Sequence, residues 1–149
     1  MKKLILAFTL MLFTASAAFS QLEKPIKWAY GAKRLNANEV EIQLKATLED
    51  GWHLYSQNLK PNGPQKTTIT FKPSAEYKTV GKTTEPQGIT IYDKNFKMNV
   101  TYFAKSVIFK QKLALKGNTA TVKGTIEFAV CDESKCLPPD EVNFTIAVK

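Results

Sequence analysis

The chain has 149 residues, with 21 Lys plus Arg against 13 Asp plus Glu, a net charge of +8, one histidine and two cysteines. Its basic residues are spread from Lys24 to Lys149 with no dense patch and no interleaving of arginine with aromatics. This excludes a nucleic-acid groove and fits a solvated basic surface. A single histidine is too few for separate triad and metal roles, and no Gly-x-Ser-x-Gly occurs, so hydrolytic chemistry is excluded too.

The chain opens with Lys2 and Lys3, a mostly apolar run from Leu4 to Phe13, and small residues up to Ser20. That is the layout of a secretory signal peptide over 1–20, with cleavage expected before Gln21. The apolar run is too short to span a bilayer. No cysteine lies near the cut to carry a lipid, and no later segment is apolar enough to cross. The expected product is a soluble exported protein. Residues 21–149 are long enough for one domain with its own core, at a charge of +6 once Lys2 and Lys3 are removed.

In the mature chain, Gln21 to Lys27 reads as a leader and Trp28 to Tyr30 as an edge strand. From Asn38 to Leu48 the alternation is clean, with Val40, Ile42, Leu44, Ala46 and Leu48 on one face. Period 2 marks a half-buried strand. Glu49-Asp50-Gly51 is a turn signal, and Trp52 to Ser56 resumes as a second strand. Gln57 to Lys66, with Pro61-Asn62-Gly63-Pro64, is loop. Further strands are expected over Thr67 to Phe71, Tyr77 to Val80, Gly88 to Tyr92, Val100 to Phe103 and Val107 to Leu115, with Gly117-Asn118 as a turn. Thr119 to Val130 and Glu141 to Val148 form the last pair. No helical period is sustained over three turns, and many short strands separated by turn signals predict an all-β, antiparallel sandwich in one domain.

That last pair of strands flanks Val130-Cys131-Asp132-Glu133-Ser134-Lys135-Cys136-Leu137-Pro138-Pro139, which holds both cysteines. In an oxidising compartment two cysteines usually form one disulfide, and a loop this short can join them if the backbone turns back. A stabilising staple is one reading. So small a ring, however, is worth only about 2 kcal/mol in the chain-entropy model, and less where a hairpin is preformed. The other reading is a redox-active pair. Cys131 follows a strand entering the core and is expected to be the more buried. Cys136 lies in the loop beside Lys135, whose charge favours a thiolate, while Asp132 and Glu133 oppose it. Cys136 is therefore the expected exchanging sulfur and Cys131 its resolving partner.

A soft-metal site is the rival chemistry, since Cys131, Cys136, His53 and Met98 are all potential copper(I) ligands. Their spacing matches no usual zinc pattern, and no metal or cofactor is expected. Phe96 stands alone in the polar stretch Asp93-Lys94-Asn95-Phe96-Lys97, and a disulfide would be a fitting apolar surface for it to cover.

Three segments taken in order, Glu49-Asp50-Gly51-Trp52-His53-Leu54-Tyr55, Tyr92-Asp93-Lys94-Asn95-Phe96 and Cys131 to Pro139, resemble the periplasmic N-terminal domain of DsbD-type thiol–disulfide interchange proteins. The resemblance runs from about Trp28 to Val148, and Cys-x4-Cys-Leu-Pro-Pro before a strand is its most specific part. It implies an immunoglobulin-like sandwich in the periplasm that needs no cofactor. Such a domain takes reducing equivalents from a thioredoxin-like domain or membrane electron donor. It passes them to exported disulfide isomerases or cytochrome c maturation proteins. By position, Cys136 corresponds to the cysteine that forms the mixed disulfide with partners and Cys131 to the second. Phe96 corresponds to a cap-loop aromatic that shields the disulfide, Asp93 to a residue of that cap, and His53 and Tyr55 to aromatic positions beside the site. Departures are a cysteine gap one residue shorter, His53 where a tyrosine is familiar, and Lys94 and Asn95 diluting an acidic cap. No membrane or thioredoxin-like segment is present, so a separate electron donor is expected, with this chain acting as a monomer. The competing class is an exported binding module whose disulfide only pins a recognition loop.

Overall fold

The computed structural model describes residues 23–94 and 96–149. The signal-peptide reading of residues 1–20, and Asn95 of the cap, lie outside them. The described residues form eleven strands: β1 (Ile26–Arg34), β2 (Glu39–Leu48), β3 (His53–Tyr55), β4 (Thr68–Phe71), β5 (Tyr77–Thr84), β6 (Ile89–Asp93), β7 (Met98–Ala104), β8 (Ser106–Leu115), β9 (Ala120–Phe128), β10 (Val130–Cys131) and β11 (Asp140–Val148). They make three sheets with antiparallel pairing, in the orders β1-β2-β8-β5, β10-β3-β7-β6 and β11-β9-β4. The sandwich core lies between the first sheet and the other two.

The alternating residues fill that core. Val40, Ile42, Leu44 and Ala46 are fully buried, and Val107, Phe109 and Leu113 of the partner strand β8 meet them. From the facing sheets come Leu54, Phe103, Val122, Ile126, Phe128 and Phe144. Trp28 closes one side, 5.4 Å from Phe128 and 6.2 Å from Phe109 between ring centroids. Burying each large aliphatic or aromatic side chain contributes about 1.5–3 kcal/mol, so this alternation is the main source of the fold's stability.

The largest extensions beyond the strands expected from sequence are in β1 and β5. β1 covers nine residues rather than three, paired with β2 from Ile26↔Leu48 to Arg34↔Val40. Its outer half is exposed, as befits an edge strand, and therefore carries little hydrophobic signal. β5 continues past Val80 through a bulge before rejoining β8 at Thr84↔Lys110. Gly81 takes φ +70°, a left-handed conformation that glycine adopts without strain. Gln111, buried on the inward face of β8, serves this irregularity. Its Nε2 donates to the Val80 carbonyl at 3.1 Å and the Lys112 carbonyl at 2.9 Å, while its Oε1 accepts from Thr83 Oγ1 at 2.9 Å. A buried amide is tolerated here because its hydrogen-bonding groups are used.

One break positions the site. The strand Thr119 to Val130 expected from sequence is interrupted at Ala129, and the chain passes from β9 in one sheet to β10 in another. β10 is thereby the edge strand beside β3, with Val130↔Leu54 and Cys131↔His53 in register. Val130 and Leu54 join the main core, while Cys131 faces the opposite side of its sheet.

Candidate functional site

That opposite side carries a small second cluster of buried Tyr55, Val100 and Cys131, flanked by Leu59, Met98 and Tyr102. The alternation that sends Leu54 and Phe103 inward sends Tyr55, Val100 and Tyr102 outward. Cross-strand pairing then aligns them, with Tyr55↔Tyr102, Ile89↔Tyr102 and Ile91↔Val100 on adjacent strands.

From Cys131 the chain turns back at once. The Asp132 N–H donates to the Lys135 carbonyl and the Leu137 N–H to the Val130 carbonyl, both at 2.9 Å. Cys131 and Cys136 are thus a bridge pair without hydrogen bonds of its own, the position in an antiparallel ladder where side chains approach most closely. Their sulfurs are bonded, with Cα atoms 4.0 Å apart. The tip is held independently of sulfur. Asp132 Oδ1 accepts from Ser134 N at 2.7 Å, Ser134 Oγ at 2.8 Å and Lys135 N at 2.7 Å. These bonds, those from Ser134 first, hold the Asp132 carboxyl below the usual carboxylate range. Cys131 is 2% exposed, whereas Cys136 is open to solvent.

The flanking charges serve structure more than sulfur. Lys135, expected from sequence to favour the thiolate, sends its Nζ 2.6 Å from Glu23 Oε2 and over the Trp52 ring at 5.6 Å. Asp132 is occupied by the loop's own donors.

A cleft of about 510 Å³ runs from this hairpin to the β6–β7 hairpin, lined by both cysteines, His53, Tyr55, Asp93 and Phe96 among others. All six residues singled out from sequence thus meet at one site. Asp93 ends β6 and accepts from the Phe96 N–H at 3.2 Å, shaping the turn that carries the phenylalanine. Phe96 is 40% exposed and stands at the cleft outside the buried cluster. His53 packs against Tyr102 (centroids 4.8 Å, tilted) and Tyr55 (5.2 Å, edge-on), its Nε2 3.4 Å from the Tyr55 hydroxyl. Burial holds the imidazole below its ordinary pKa, against the pull of Asp132 and then Asp93. Burial likewise raises Tyr55, with Asp93 and Tyr102 adding to it.

Val100, Tyr102 and Ile91 are also site residues, although the sequence marks them only as strand. The signal was the outward alternation of Met98, Val100 and Tyr102 opposite inward Phe103. Met98, weighed from sequence as a soft-metal ligand, directs its sulfur toward Gly63, and no metal-ligating group of three or more His, Cys, Asp or Glu occurs among the described residues.

Against protein families, residues 22–147 match the model for "Thiol:disulfide interchange protein DsbD, N-terminal". No curated protein matches the sequence. Among solved structures, the chain is similar to the reduced N-terminal domain of DsbD from Neisseria meningitidis, with a TM-score of 0.52 and 17% identity, over 80% of this chain and 84% of that one. It is also similar to the N-terminal periplasmic domain of ScsB from Proteus mirabilis (TM-score 0.58, 16% identity), over 85% of this chain but only 47% of that chain. A third is the complex between the DsbD N-terminal and PilB N-terminal domains from N. meningitidis (TM-score 0.54, 14% identity), with coverage of 84% and 87%. The shared feature is the immunoglobulin-like β-sandwich.

Proposed function

The chain belongs to the family of DsbD N-terminal domains, components of thiol–disulfide interchange, and from that premise we propose that it is a protein-disulfide reductase whose Cys131–Cys136 pair carries two electrons between exported proteins. The observation that carries this reading is the asymmetric disulfide, with one sulfur exposed and one buried, across a hairpin whose hydrogen bonds hold it without the S–S bond. The loop is preformed, so closing the ring adds little stability. What the bond offers is a target.

A donor thiolate attacks Cys136, Cys131 leaves, and a second donor thiol completes reduction to the dithiol. The dithiol then reduces an acceptor disulfide through a mixed disulfide at Cys136. Sulfur carries both electrons, so no cofactor takes part. The donor is a thioredoxin-like domain or membrane electron carrier, and the acceptors are exported disulfide isomerases or cytochrome c maturation proteins, as in the family. That a DsbD N-terminal domain has been solved in complex with a PilB domain supports docking to a second protein. The ScsB domain is periplasmic, which supports a periplasmic site of action for this chain too.

The reduction potential tests the proposal. Equilibration against glutathione or dithiothreitol with alkylation trapping is expected to give a value within roughly −180 to −270 mV, the range of exchange proteins. A potential below about −300 mV would mark a structural staple and turn the reading to a binding module.

Phe96 is the residue we assign to controlling access, with Asp93 shaping its turn and His53 and Tyr55 lining the wall. The cleft already admits solvent, so the shield is partial. Phe96→Ala is expected to speed reduction by dithiothreitol severalfold while leaving the potential unchanged, in a stopped-flow comparison with the parent. An unchanged rate would remove Phe96 from this role.

A further inference from the structure

We infer that His53 is the acid–base partner of Cys131, taking the thiol proton when Cys131 resolves a mixed disulfide. The inference rests on the exchange reading above and assigns a residue to its second step. Cys131 and His53 are directly opposite on adjacent antiparallel strands, on the same face. Such a pair has Cβ atoms about 4.5–5.5 Å apart. Both line the one cleft, and the imidazole is held in place by Tyr55 and Tyr102.

The need for such a partner follows from burial. Cys131 is 2% exposed and packs with Tyr55 and Val100, so its thiolate is disfavoured by desolvation and water has poor access to its proton. Yet only the thiolate attacks a disulfide. The groups facing His53 are Tyr55 on its own strand, Tyr102 on β7, Asp93 on β6 and Asp132 after β10, with Glu133 and Lys135 lining the cleft. Burial outweighs the two aspartates and keeps the ring neutral near pH 7, where it can accept a proton.

Cys136 thiolate attacks an acceptor disulfide, giving a Cys136–acceptor mixed disulfide and one acceptor thiolate. Neutral His53 takes the proton of the Cys131 thiol. The Cys131 thiolate attacks Cys136 Sγ, the Cys131–Cys136 bond forms, and the mixed disulfide breaks with its electron pair leaving on the second acceptor sulfur. The acceptor has gained two electrons, and the proton on His53 returns to solvent or to that sulfur through the cleft.

Ellman's reagent, 5,5′-dithiobis(2-nitrobenzoate), separates the two steps on the reduced protein. The first equivalent of coloured thiolate is released at a rate proportional to reagent, reporting Cys136. The second is released independently of reagent, reporting Cys131. In the parent the second rate is expected to rise as His53 loses its proton, below the ordinary imidazole pKa, and then to stay level until the buried thiol ionises without help at high pH. In His53→Gln the level region is expected to vanish, leaving a steady rise with pH. The second phase should slow about 100-fold at pH 7, the lower end of general-base contributions, a far larger fall than any change in the first phase. His53→Tyr, which keeps an aromatic ring beside Tyr102, is expected to behave alike and stands in if His53→Gln fails to fold. A level region retained in the folded variant would overturn the inference and leave the exchange reading intact. Release of fewer than two equivalents by the parent would overturn both.

Discussion

Cys131→Ser is expected to convert the protein from a carrier into a trap, while Cys136→Ser removes its chemistry. The two sulfurs differ in access, not in connectivity. Cys136 sits on the exposed arm of the hairpin and Cys131, 2% exposed, on the arm that pairs with β3. On the proposed exchange reading, a partner disulfide is therefore expected to be attacked by Cys136 alone. Once that mixed disulfide forms, Cys131 is the neighbour expected to break it, since well-oriented intramolecular reactions reach effective molarities on the order of 10⁵ M. An external thiol at millimolar concentration is a poor substitute. Intact-mass analysis after mixing reduced Cys131→Ser with a thioredoxin-like protein's disulfide should find the covalent adduct accumulating, and turnover should fall to background. Cys136→Ser should give neither adduct nor turnover, and its remaining thiol should resist iodoacetamide unless the fold is opened. Equal adduct yield from the two variants would mean that burial does not order the sulfurs, and the assignment of attacking and resolving roles would be withdrawn.

Much of this site is legible in the residues because it is made of local patterns. The spacing of Cys131 and Cys136 sets the ring size, and the alternation leading into Val130 predicts which sulfur is buried. Glu49-Asp50-Gly51 marks the turn, with Gly51 at φ +85°, that starts β3 and hence places His53 and Tyr55. Asp93 and Phe96 lie within one hairpin tip, so their relation is local as well.

What the residues do not disclose is set by distance along the chain. The register Cys131↔His53 joins positions 78 apart and depends on the break at Ala129, which three successive apolar residues, Ala129, Val130 and Cys131, do nothing to announce. Charges are similarly misread from proximity. Lys135 is next to Cys136 in sequence, yet Glu23, 112 residues away, holds its ammonium. The tail of β5 is hidden for another reason. Gly81-Lys82-Thr83-Thr84 has no strand pattern of its own, and it is kept in the sheet by Gln111 on β8, whose amide answers the carbonyl of Val80. Antiparallel sandwiches place much of their information in such non-local pairings, and single-strand periodicity reports only the half that faces the core.

Gly124→Ala is expected to cost about 3 kcal/mol, at the top of the usual range for overpacking, although the added group is a single methyl. Gly124 is in β9, the middle strand of its sheet, with Phe144 of β11 opposite on one side and Phe71 of β4 on the other. A Cβ there would collide with the edge of the Phe144 ring and with the Thr70 carbonyl oxygen. The ring cannot easily yield. It packs edge-on to Phe71 at 5.3 Å and against Tyr30 of β1 at 5.7 Å, so turning it disturbs the contact between two sheets. Nor can the oxygen, since Thr70 belongs to β4, and shifting it strains the ladder between β4 and β9. For a domain of this size the melting temperature should fall by about 10–15 °C, with loss of 1 kcal/mol lowering it by roughly 3–5 °C. The same substitution in a Phe144→Leu background should cost clearly less, because part of the collision is gone. The reduction potential should not move in either variant, since Gly124 faces the sandwich core and the cysteine pair lies on the far side of a different sheet. A melting shift below about 3 °C would mean that β9 and β4 separate at little cost, and a shifted potential would mean that the site's hairpin is not mechanically independent of the core beneath it.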